Sequence, residues 1–165
     1  RDFCLSRGLG DVYKRQAMDN SLHYLIMANQ MLVQKALLDK LKDTGLTIGQ
    51  PKILDYLKYH DGSSQKDIAK ACFLEAGSLT TILNKMEEKG LITRQTLNGN
   101  RRSFHIFMTE EGRKKQQLID ELFTEIEKNA LQNISDEEFD MFMAVYKKIY
   151  RNLQNELTAK ESTNE

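Results

Sequence analysis

Proline occurs once in these 165 residues, cysteine twice and histidine three times, and neither sign of charge is in excess. With a single proline, nine glycines and long stretches of 3.6-residue apolar period, the chain reads as mainly α. The two cysteines, Cys4 and Cys72, support neither a disulfide framework nor zinc-ligand spacing. His23, His60 and His105 fall on separate elements, with no nucleophile or metal-ligand cluster beside them, and His105 is assigned a structural role in a strand. There is no phosphate loop, no Gly-x-Gly-x-x-Gly and no Gly-x-Ser-x-Gly. The chain therefore reads as no enzyme, with neither metal nor cofactor expected. No apolar run approaches the roughly 20 residues needed to cross a bilayer, and no signal peptide is evident. A cytoplasmic protein with no membrane partner is expected.

What is present is enough for a folded core: 40% of the residues are apolar. The zero net charge conceals a division. Residues 18–115 hold 15 Lys/Arg against 11 Asp/Glu, whereas residues 116–165 hold 5 against 11. Acid is concentrated in the C-terminal part, which leaves the middle of the chain free to present a basic surface.

The most informative stretch runs from Ser63 to Gly112. Ser64 with Asp67 three residues on opens a first helix, because a serine oxygen accepts from a free backbone N–H and the aspartate suits the positive end of the helix dipole. Ile68, Ala69 and Cys72 form its apolar side. Cys72 reads as a small core residue, with a redox trigger as the alternative. Leu79, Ile82, Leu83 and Met86 then recur at i, i+3, i+4 and i+7, one face of a second helix, and Gly90 stands where a left-handed residue ends it. Leu91–Leu97 and Phe104–Met108 read as the two strands of a hairpin, joined through Asn98-Gly99.

The polar side of the second helix carries Ser78, Thr81, Asn84, Lys85 and Glu88. Short hydroxyl and amide side chains followed by a lysine suit a helix laid in the DNA major groove; an ordinary solvated face is the alternative. The hairpin tip favours the former. Arg101 and Arg102 stand there with no acid beside them, as in a loop that touches phosphates or a minor groove.

The stretch resembles the winged helix-turn-helix of the MarR (multiple-antibiotic-resistance regulator) family of bacterial transcription factors. The residues that carry the resemblance are Leu46-Thr47-x-x-Gln50 with Leu54 and Leu57, then Asp67-Ile68-Ala69, then Met86-Glu87-x-x-Gly90-Leu91-Ile92-x-Arg94. Arg101-Arg102 and Met108-Thr109-x-x-Gly112 complete the set. Asn100 stands where the family usually has an aspartate two residues before the wing arginine. The resemblance implies a winged helix-turn-helix flanked by N- and C-terminal dimerisation helices. It also implies a sequence-specific DNA-binding repressor that grips a pseudo-palindromic operator as a homodimer and is released by a small apolar or aromatic effector. A winged-helix protein-interaction module without DNA binding is the alternative. At double-stranded DNA, Ser78, Thr80, Thr81 and Lys85 are assigned to the major groove and Arg101 and Arg102 to the wing. Ser63, Ser64 and Gln65 are assigned to the sugar–phosphate backbone. Tyr24, Met27, Met31, Phe73, Phe107 and Met108 could line an effector pocket, the plain reading being ordinary core.

The remaining segments fit this frame. Residues 1–17 show no sustained period and are read as a leader outside the fold, with Met18 as the expected native start. A long helix from about Asp19 to Leu41 carries apolar residues over more than one face and is expected to end at Gly45. Thr47 with Gln50 matches a capping box, with Pro51 in the first turn of a helix that buries Ile53, Leu54 and Leu57. Thr109 is expected to cap a helix running to about Leu131, striped by Leu118, Ile119, Leu122, Phe123 and Ile126. Ser135 and Glu138 form a second capping box before a last helix with Phe139, Phe142, Met143, Tyr146, Ile149, Tyr150, Leu153 and Leu157 on one side. The expected organisation is one domain over 18–158. Residues 46–112 form its winged-helix unit, 18–45 and 113–158 its dimerisation helices, and 159–165 a frayed tail.

Overall fold

The computed structural model describes residues 21–96 and 104–161. The leader and the wing tip, including Arg101 and Arg102, therefore lie outside the described residues. The chain forms two compact units, one through Ile126 and one from Glu127. The first unit opens with α1 (Leu22–Leu41), whose last turn is closed by Thr44: its N–H and its hydroxyl both donate to the Leu41 carbonyl, at 3.0 and 2.8 Å. Helix α1 thus stops four residues before Gly45, which takes φ +74° in the following turn. Leu41 is buried and Leu37 packs on the core, but Leu22, Leu25, Met27, Met31, Leu32 and Val33 are exposed.

Helix α2 (Gln50–Leu57) starts differently from the expected box. Gly49 is the N-cap, at φ +90°, and the Thr47 hydroxyl makes no cap bond. Only the glutamine half forms: Gln50 Oε1 accepts the Thr47 N–H at 3.0 Å. A Cβ on it would also stand 2.8 Å from Ile82 Cδ1, the end of a side chain that would have to shift. Ile53, Leu54 and Leu57 are wholly buried, each contributing about 1.5–3 kcal/mol of transfer free energy.

Two residues, Ser63 and Ser64, form β1, followed by α3 (Gln65–Ala71) and α4 (Ala76–Glu88). As the sequence predicts, the Ser64 side chain accepts from the Asp67 N–H. Both helices end in the same way. The N–H groups of Phe73 and Leu74 return to the carbonyls of Lys70 and Ala69, and those of Gly90 and Leu91 return to Glu87 and Met86. Each is a Schellman motif. Gly90 supplies the left-handed residue of one at φ +68°, and a phenylalanine, Phe73 at φ +51°, supplies the other. Strands β2 (Ile92–Thr96) and β3 (Phe104–Met108) pair antiparallel with Ile92 opposite Met108 and Thr96 opposite Phe104. The sheet has three strands rather than the two expected, in the order β1-β3-β2, because Ser63 and Ser64 pair with Ile106 and His105.

Helix α5 (Glu110–Ala130) opens on Thr109, whose hydroxyl accepts the Gly112 N–H at 3.0 Å and donates to the Gly90 carbonyl at 2.6 Å. One side chain thus caps a helix and ties it to the end of another. Ile119 closes the core, with Leu122 and Phe123 against it. In the second unit, helix α6 (Asp136–Glu161) begins at the complete capping box: the Ser135 N–H reaches Glu138 Oε2 at 2.8 Å and the Glu138 N–H reaches Ser135 Oγ at 3.3 Å. Its apolar side, including Met141, Phe142, Val145, Tyr146, Tyr150 and Leu153, is exposed.

Candidate nucleic-acid interface

Helix α4 divides cleanly. Leu79, Leu83 and Met86 are at most 2% exposed, whereas Ser78, Thr80, Thr81, Asn84, Lys85 and Glu88 are all exposed. The apolar stripe fixes the rotation of the helix, so burial of three side chains is what turns six polar ones to solvent. The threonine hydroxyls spend their protons within the helix, Thr80 on the Ala76 carbonyl at 2.9 Å and Thr81 on the Gly77 carbonyl at 3.2 Å. Their oxygens and methyl groups are what they present outward.

Ser63 and Ser64 are committed inside the protein. Ser63 Oγ donates to the His60 carbonyl at 2.7 Å, and Ser64 Oγ donates to Asp67 Oδ2 at 2.6 Å while capping α3. Their hydroxyls hold the entrance of α3 in place, and both residues are half-buried, as is Gln65. The six residues assigned to an effector pocket are dispersed. Met108 belongs to the core at 7% exposure, and Phe107 lies where a Cβ on Gly62 would meet its ring. Phe73 is exposed in the turn between α3 and α4, Met27 and Met31 are exposed on α1, and Tyr24 there is half-buried.

Several residues that position this interface escape a reading of the sequence. Arg94 on β2 bridges to α4: Nη1 lies 2.8 Å from Glu87 Oε2, the backbone N–H 3.3 Å from Glu87 Oε1, and Nη2 2.7 Å from Asn84 Oδ1. Lys89, at the end of α4, donates to the Gly45 carbonyl at 2.5 Å and so ties that helix to the turn after α1. Asp61 accepts the Met108 N–H at 2.8 Å and an Arg113 guanidinium N–H at 3.0 Å, joining β3 to α5. Glu87 and Arg94 stand at the two ends of the Glu-x-x-Gly-Leu-Ile-x-Arg run, which was the available signal. His105 is structural as expected, its Nδ1 2.7 Å from the Gly62 carbonyl; that partner only accepts, so Nδ1 carries the proton.

Cys72 is 1% exposed, with Sγ 3.7 Å from the Lys52 carbonyl, and burial raises the pKa of its thiol. Among the described residues no three His, Cys, Asp or Glu side chains gather as metal ligands, and no helix is long and apolar enough to cross a membrane.

Comparison with known proteins agrees with this geometry. The sequence pattern of the MarR family matches residues 46–104, from the lead into α2 to the first residue of β3. The organic hydroperoxide resistance transcriptional regulator of Bacillus subtilis (strain 168) is 35% identical over 103 residues, which span 61% of this chain and 68% of the relative. Among solved structures, the S. aureus MepR–DNA complex is 31% identical with a TM-score of 0.70, covering 81% of this chain and 98% of that one. CouR from Rhodococcus jostii RHA1, bound to p-coumaroyl-CoA, shares the fold at 21% identity and a TM-score of 0.71, over 81% of this chain and 94% of its own. A matching family pattern, a related regulator and a shared winged-helix architecture agree: this chain belongs to the MarR family of transcriptional regulators.

Proposed function

We propose that this protein is a sequence-specific repressor that binds a pseudo-palindromic duplex as a homodimer in the bacterial cytoplasm, and that it acts by binding rather than catalysis. The observation that carries the reading is the exposed Ser78–Lys85 side of α4, set by burial of Leu79, Leu83 and Met86. Ser78, Thr80 and Thr81 meet base edges, and Lys85 meets phosphate. Arg101 and Arg102 extend the contact from the wing, and Gln65 touches the backbone from the start of α3. The exposed apolar sides of α1 and α6 support pairing with a second copy, which places two reading helices about one helical turn of DNA apart. A small apolar or aromatic effector favours a dimer in which that spacing is lost, and Tyr24, Met27 and Met31, spaced i, i+3, i+7 on α1, are the part of the expected lining that shares one helix face.

The test is a mobility-shift titration against duplexes selected from a random pool, at several salt concentrations. Affinity is expected to fall steeply with salt, and Lys85→Ala to reduce the logarithmic salt slope by about 1 while lowering affinity for all sequences alike. A monomer in solution that retains no duplex at low salt would overturn the proposal.

A further inference from the structure

Asn84 is exposed on α4 one turn beyond Thr80 and Thr81, on the side turned away from the core. A free asparagine amide both accepts and donates. Adenine is the base whose major-groove edge answers both, through N7 and N6–H. Here one acceptor position is already used. Arg94 Nη2 lies 2.7 Å from the amide oxygen of Asn84. A guanidinium has five donors and no acceptor, so the amide atom that faces it is the oxygen, whichever way the side chain is turned.

Arg94 is not free to release it. Its side chain is 16% exposed, its Nη1 pairs with Glu87 Oε2 at 2.8 Å, and its backbone N–H reaches the other oxygen of the same carboxylate. The strand that carries it is fixed by pairing with β3, Arg94 standing opposite Ile106. The guanidinium is thus held between two residues of the reading helix, one turn apart. The guanidinium takes one of the two lone pairs of Oδ1 and sets a positive charge beside the other, so the NH2 group is what the planar amide offers most readily.

Resting on the DNA-reading function above, we propose that Asn84 is a further specificity-determining residue and that Arg94 is its positioning residue. Biased to donate, Asn84 favours a base that presents acceptors and nothing else in the major groove, guanine through O6 and N7, over adenine.

The experiment is selection from a random duplex pool by the full chain and its variants, followed by affinity measurements on the selected site. Asn84→Ala is expected to lose preference for guanine at one position in each half-site, keep the other positions, and bind the parent site about tenfold more weakly. Replacing that guanine by 7-deazaguanine is expected to weaken the parent protein and leave Asn84→Ala unaffected. Arg94→Met frees the amide oxygen and is expected to admit adenine at the same position, whereas Arg94→Lys, which still donates to it, retains guanine. Identical selected sequences for the parent and Asn84→Ala would overturn this inference and leave DNA reading intact, as would adenine at the Asn84-dependent position of the parent. An unchanged guanine preference in a folded Arg94→Met would remove Arg94 from the scheme. If Arg94→Met does not fold, Asn84→Ala and the modified guanine decide alone. A parent chain that enriches no sequence at all overturns both the function and this inference.

Discussion

Gly112 passes so close to Leu91 that a Cβ on it would stand 2.0 Å from the Leu91 carbonyl oxygen. That carbonyl is backbone, and it accepts the Thr109 N–H at 3.1 Å, so it has no room to withdraw. Gly112→Ala is expected to destabilise the fold by about 3 kcal/mol, read from the denaturant midpoint. A loss well below about 1 kcal/mol would show that α5 and the end of the reading helix are less tightly joined than this approach implies.

Phe73 carries the opposite expectation. It occupies the left-handed region at φ +51° and is 59% exposed, so it bears the backbone cost with little burial in return. Asparagine relieves about 1 kcal/mol of that cost, and loss of the exposed Lys52 contact, 5.4 Å from the ring, returns about 0.5 kcal/mol. Phe73→Asn should raise the melting temperature slightly. A fall would mean that the ring makes contacts worth more than its exposure suggests.

Cys72 should be inert in the folded protein. Burial is the main cause of its raised pKa, with nearby Asp55 adding to it and Lys52 opposing it. In a Cys4→Ser background, a disulfide reagent at neutral pH should label Cys72 only after denaturation. Prompt labelling of the native chain would restore the redox alternative.

Asp55 is a source of pH dependence. Burial raises its pKa above the ordinary aspartate range, with Asp120 adding to the effect and Lys58 opposing it. The folded state therefore holds the Asp55 proton more tightly than the unfolded chain does. Its favourable contribution is complete below the unfolded value and is lost as the pH rises through the folded one. Asp55→Asn should be more stable than the parent at neutral pH, and the difference should shrink as the pH falls below the ordinary aspartate range. A constant difference across that range would assign the effect to packing.

Much of this was legible in the residues. The i, i+3, i+4, i+7 spacing of Leu79, Ile82, Leu83 and Met86 fixed one side of α4, and Ser64 with Asp67 and Ser135 with Glu138 marked two helix starts that form as read. Strand β1 was not legible. Two serines have no strand propensity, and their pairing with β3 depends on where Ile106 lies. The start of α2 differs too: Thr47 offers a hydroxyl at the right spacing, but Gly49, at φ +90°, takes the cap.

The sequence by itself determined the helices, the caps at Ser64, Thr109 and Ser135 and the polar side of α4, because periodicity and capping act between residues at most a turn or so apart. Only the tertiary structure decided which polar atoms on that side remain available. Arg94 reaches Asn84 and Glu87 across a reversal of the chain, and Lys89 reaches Gly45 from 44 residues away. A side-chain hydrogen bond depends on where its partner stands in space, and no local pattern encodes that position.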